Sequence, residues 1–162
     1  MNTAQTIAAA GFDISILAGD APVELATFPV NLIFDKDGNP VSGLICVGKN
    51  STQYRAEKNA IRASNIMRGA NTGTSIDTKT EDGAMQMVEL TDANQERLAL
   101  AVVVDWFGFT NAGAQVPFDK KLVAAGFKKF PTWIDEVHVG LEKEANFMKL
   151  LSANSSNSPT NS

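Results

Sequence analysis

The chain of 162 residues carries 14 basic and 18 acidic side chains and one histidine, a formal net charge of −4 at neutral pH. Its 44% hydrophobic and 20% charged residues are those of an ordinary globular protein, long enough to bury roughly 70% of its unfolded surface around one core. The balance offers no field for nucleic acid or anionic lipid, which call for a basic patch. The lone Cys46 cannot make an internal disulfide. With no signal-like start and no apolar run near the ~18 residues that span a bilayer, the expectation is a soluble, non-secreted protein.

Residues 1–11, with Ile7-Ala8-Ala9-Ala10 ending at Gly11, read as a mobile N-terminal arm. From Phe12 the composition turns β-like, through Ile14, Ile16 and Leu17 and then Val23 and Leu25 between Pro22 and Pro29, the prolines limiting any central strand. Val30–Phe34 and Val41–Val47 are apolar runs separated by Asp35-Lys36-Asp37-Gly38-Asn39-Pro40. Because Asp37-Gly38 readily supplies positive φ, the pair predicts a β-hairpin. Gly48-Lys49-Asn50 breaks the second run, and Ser51 can cap a surface helix through Tyr54, Ile61 and Met67 that ends at Gly69. Residues 70–90 are polar and turn-rich, which predicts a flexible connection between a 12–69 β-hairpin region and a 91–151 helical region.

Thr91-Asp92 reads as the start of a buried helix over about 92–105, although Val102-Val103-Val104 suits a strand equally well. Asn111–Pro117 reads as a loop, and Asp119 as the cap of a short helix carrying Leu122, Val123 and Phe127. Pro131 opens a last helix in which Trp133, Val137 and Leu141 repeat every four residues, joined by Ile134 and continued by Met148. The Ser- and Asn-rich stretch 152–162 reads as a disordered tail. The fold class expected is α+β: a small β-rich N-terminal part with a hairpin, then a mostly helical C-terminal part.

Motifs that could carry chemistry fail on their details. Gly43-Leu44-Ile45-Cys46-Val47-Gly48-Lys49-Asn50 approaches a phosphate loop, but Asn50 stands where a hydroxyl should hold Mg²⁺, and the intervening residues are an apolar strand. Asp35, Asp37 and Asn39 alternate like a calcium loop, yet Gly38 comes two places early and Cys46 occupies the twelfth position. His138, the only imidazole, has no companions at zinc-ligand spacing; a Ser–His–Asp set assembled through space stays open at this point. Cys46 sits between Ile45 and Val47, an apolar setting that raises a thiol pKa. Asp135 and Glu136 point about 100° apart on a helix and make no acid–base pair. The reading is a non-enzymatic protein with no cofactor and no metal.

Aromatic residues supply what remains. Trp106, Phe107, Phe109, Phe118, Phe127, Phe130, Trp133 and Phe147 crowd about a quarter of the chain. Most should build the core, while those on 106–118 can instead anchor another polypeptide. Trp106, Phe107, Phe109 and Phe118 are the candidate protein-binding residues; Trp133 and Phe147, at helical spacing, read as core.

The order Gly48-Lys49-Asn50-Ser51-x-x-Tyr54-Arg55, a helix ending Trp106-x-Gly108, Val116-Pro117-Phe118, Pro131-x-Trp133-Ile134 and Ala145-Asn146-Phe147 resembles the tail assembly chaperones of tailed bacteriophages, over roughly residues 30–150. The chain departs from that pattern in Phe107 and Phe109 around the glycine and in its long 70–90 connection. The resemblance implies a protein of the host cell cytoplasm that holds the tape-measure protein soluble while major tail tube subunits polymerise around it, and that is absent from the finished particle. It implies the tape-measure and tail tube proteins as partners, with self-association left open and neither nucleic acid nor membrane involved. The competing reading is a structural virion component, a tail-tube or adaptor protein.

Overall fold

The first reversal among the described residues is set by one carboxylate. Asp35 accepts hydrogen bonds from the backbone N–H groups of Asp37 and Asn39, each at 2.9 Å, and from the Asn39 amide at 3.2 Å, while Gly38 takes the positive φ of +83° that closes the turn. The computed structural model, which describes residues 27–72 and 76–143, places the expected hairpin on either side: β1 (Phe28–Phe34) and β2 (Pro40–Cys46) pair antiparallel. The calcium-like alternation is this turn. Pro29 is accommodated because β1 is an edge strand of the sheet that the described residues form.

Ser51 caps the next helix, its Oγ accepting from the Tyr54 N–H at 3.2 Å. Helix α1 (Thr52–Thr72) outlasts the predicted stop at Gly69 by three residues, and most of it is exposed as expected. The predicted 70–90 connection is corrected by helix α2 (Glu81–Val102). Its true cap is Thr80, whose Oγ1 accepts from the Gly83 N–H at 3.1 Å, with Glu81 and Asp82 favouring the positive end of the helix dipole. Thr91, read as a cap, is interior and donates its hydroxyl back to the Met87 carbonyl at 2.8 Å. The helix also ends earlier than expected, because Val103 pairs with Cys46 and passes directly into β3 (Val103–Phe107), antiparallel to β2.

The architecture is α+β: a three-stranded sheet in the order β1-β2-β3 with helices against one face. The loop expected at 111–117 contains a minimal ribbon, β4 (Thr110–Asn111) with β5 (Ala114–Gln115), turning through Ala112 and Gly113 at positive φ. Asp119 then caps α3 (Lys120–Lys129), accepting from the Lys121 N–H at 2.8 Å. Helix α4 (Thr132–Glu142) follows from Pro131. Alternation puts Phe28, Val30, Leu44, Cys46 and Val103 on the covered sheet face, where they meet Ala99 and Val102 of α2, Val123 and Phe127 of α3, and Val137 and Leu141 of α4. Gly140 lets α4 approach closely: a Cβ there would lie 2.8 Å from the Phe28 ring. The arm at 1–11, the β-like stretch from Phe12 to Leu25, Ala145-Asn146-Phe147, Met148 and the tail at 152–162 lie outside the described residues.

Candidate functional site: an aromatic recess

Strand alternation divides the four candidate residues. Trp106 pairs with Leu44, on the helix-covered side of the sheet, so the next residue, Phe107, belongs to the opposite face. There it covers Gly43, its ring atoms 2.8 Å from where a Cβ would stand. Phe107 is thereby separated from the other three.

Trp106, Phe109 and Phe118 come together. The Trp106 ring lies 4.8 Å from Phe109 and 5.7 Å, edge-on, from Phe118. The chain of rings continues from Phe109 to Trp133 at 6.0 Å and from Trp133 to Phe130 at 5.0 Å, the last pair stacked. Such pairs contribute ~0.5–1.5 kcal/mol beyond their buried area, enough to hold the rings as a rigid platform. The Trp106 indole N–H donates to the Val116 carbonyl at 2.9 Å, which satisfies its only polar atom and ties β3 to the segment entering α3.

Between these rings lies an open recess of about 210 Å³, lined by Leu44, Trp106, Phe109, Val116, Leu122 and Trp133 among others. Gly126 forms part of its wall because a Cβ there would stand 2.7 Å from the Trp133 ring. Trp106, Phe109, Phe118 and Trp133 are half-buried, and Leu122 on the rim is 50% exposed. The volume is below the ~300–1,000 Å³ of small-molecule and cofactor sites; it matches an inserted apolar side chain. Trp133, read as core from its four-residue spacing with Val137 and Leu141, packs half-buried against the core and also walls the recess. It stands at the start of α4, one turn above the buried part of that stripe, and its nearness to Phe130 is the sequence signal that places it here.

The remaining chemical candidates fall elsewhere. Gly43–Cys46 of the phosphate-loop-like motif are strand residues. Cys46 is buried, which pushes its thiol up to about 12. The His138 Nε2 lies 3.1 Å from the Gln95 carbonyl and bridges α4 to α2. Among the described residues no cluster of three or more His, Cys, Asp or Glu is arranged to hold a metal ion, and no helix is long and apolar enough to cross a membrane. Comparison with protein-family models gives no match, and neither curated proteins nor solved structures match the chain.

Proposed function

We propose that the protein is a phage tail assembly chaperone whose aromatic recess shelters apolar segments of the tape-measure protein in the host cytoplasm until tail tube subunits displace it. The observation that carries this reading is the recess itself: Trp106, Phe109 and Trp133, with Phe118 edge-on against Trp106, form an apolar platform that the described residues leave partly open. An amphipathic helix presents bulky residues every three to four positions, and such a pocket takes one of them at modest affinity. Modest affinity suits a holder that must release its client. The identity of the client rests on the ordered motif series from Gly48 to Phe147.

Co-expression of the full chain with the tape-measure protein of the same phage tests the reading. The expected result is a soluble tape-measure protein, lost with Leu122→Asp, which places a charge on the recess rim at a half-exposed side chain, circular dichroism checking that the variant stays folded. A tape-measure protein that stays insoluble, or that Leu122→Asp leaves equally soluble, overturns it. So does a stoichiometric amount of this chain in purified virions, the outcome expected of a tube or adaptor protein.

A further inference from the structure

Helix α3 carries a charge opposite to that of the chain. Lys120, Lys121, Lys128 and Lys129 bracket it with no acid between them, although the net charge of the protein is −4. Among the described residues the salt bridges are Lys49–Glu142 and Arg97–Glu57, and none of these four lysines takes part in one. Lys128 and Lys129 favour the negative end of the helix dipole, and Lys120 reaches the Ala101 carbonyl at 3.4 Å, near the end of α2. Lys121 stands in the first turn, where the same dipole opposes a cation. The stability of its own helix does not account for it.

The face that these lysines frame is the rim of the recess. Leu122, Val123 and Gly126 line the recess itself. Successive residues turn by about 100°, so Lys129 returns to within about 20° of Leu122, about 10 Å further along the axis. Lys121 and Lys128, also two turns apart, follow a parallel line on the solvent side, with exposed Ala125 between the two lines. The Lys129 Nζ stands 5.7 Å from the centre of the Phe130 ring, and that ring stacks on Trp133, a wall of the recess. A positive charge is thereby held at the outer end of the ring series.

We infer that the client segment taken by the recess is an acidic amphipathic helix, which inserts one apolar side chain and sets carboxylates about two turns apart opposite Lys129 and the Lys121–Lys128 line. The inference rests on the recess as the client site and adds what the client carries beside its anchor. Both helices have the same rise, so charges two turns apart on one meet charges two turns apart on the other. The exposed Leu122 between the lysines suits a helix with an apolar edge better than a phosphate backbone, which would strand it against charge. Rim charges of this kind select a partner and speed its capture more than they tighten its grip, which fits a holder that lets go.

Calorimetric titration of the full chain with two synthetic peptides tests this. Both are about 18 residues long, enough to hold a helix in water, and share one leucine face; the polar positions are glutamate in one and lysine in the other. The glutamate peptide is expected to bind at least about tenfold more tightly in about 0.1 M salt, the reverse of what the net charge of the whole chain favours. The gap should close in about 1 M salt, where screening shortens to about 3 Å. It should also close in the triple variant Lys121→Gln, Lys128→Gln, Lys129→Gln, checked for folding by circular dichroism, while Leu122→Gln should weaken both peptides. Equal binding of the two peptides, or a preference that survives both high salt and the triple variant, overturns the inference; if Leu122→Gln still weakens both, the recess stands as the client site. Binding of neither peptide overturns the inference and the recess as a helix-docking site together, and the solubility of the co-expressed tape-measure protein decides the chaperone reading separately.

Discussion

The indole N–H of Trp106 donates to the carbonyl of Val116, ten residues along the chain, at 2.9 Å. This bond fixes the ribbon β4–β5 beneath the recess and sets the angle of the Trp106 ring. Trp106→Phe keeps the ring contacts and deletes the donor, leaving a part-buried carbonyl to find another partner. The expected loss is about 1 kcal/mol, read from the shift of the urea midpoint, against about 3 kcal/mol for Trp106→Ala.

Gly108 joins β3 to the ribbon with φ +75°, and a Cβ there would stand 1.8 Å from the Val41 carbonyl oxygen. Its own carbonyl accepts from the Ser42 hydroxyl at 2.8 Å. Gly108→Ala combines a strained conformation with a backbone clash, and should cost about 3 kcal/mol or more in denaturant unfolding. Gly69→Ala, on the open side of α1 with nothing within 4 Å of the added Cβ, should stabilise the helix by up to about 1 kcal/mol.

The hydrogen bond and charge of Lys49, 2.6 Å away, hold the Glu142 carboxyl below its ordinary value. A depressed carboxylate stabilises the fold above its unfolded-state value of 4.5 and loses that contribution as pH falls through the folded one. Melting temperatures of the wild type and Glu142→Gln should therefore differ slightly at neutral pH and converge in acid. The difference is small because the Glu142 side chain is largely solvated.

Burial raises the Cys46 thiol from 9.0 to about 12. The folded state thus keeps its proton where the unfolded chain releases it. The stability gained is complete below pH 9 and drains away as pH rises from 9 towards 12. A disulfide reagent at pH 8 should label Cys46 only at the rate of unfolding, and Cys46→Ala should lose less stability than the wild type between neutral and alkaline pH.

Much of the fold is legible wherever a local hydrogen bond decides the structure. The turn at Asp35–Asn39, the Ser51 and Asp119 caps and the buried part of the α4 stripe all follow from neighbours in sequence. The first half of α2 does not, although Thr80-Glu81-Asp82 is a sound helix start. Among the described residues nothing covers its outer side, so no amphipathic pattern marks it as helix, and its polar residues imitate a loop. The Val102–Val103 boundary is likewise invisible locally, since it depends on Cys46, a distant strand partner. For the recess, the density of rings between Trp106 and Phe118 is plain in the sequence. That Phe107 faces away becomes apparent only when the segment is recognised as a strand, where adjacent side chains oppose.

Helix α2 enters β3 with no intervening loop, Val102 and Val103 both being fully buried at the junction. The helix therefore has no loop hinge there, and the junction offers no exposed backbone to a protease. Any tilt of α2 is carried by continuous backbone into β3, the strand that bears Trp106.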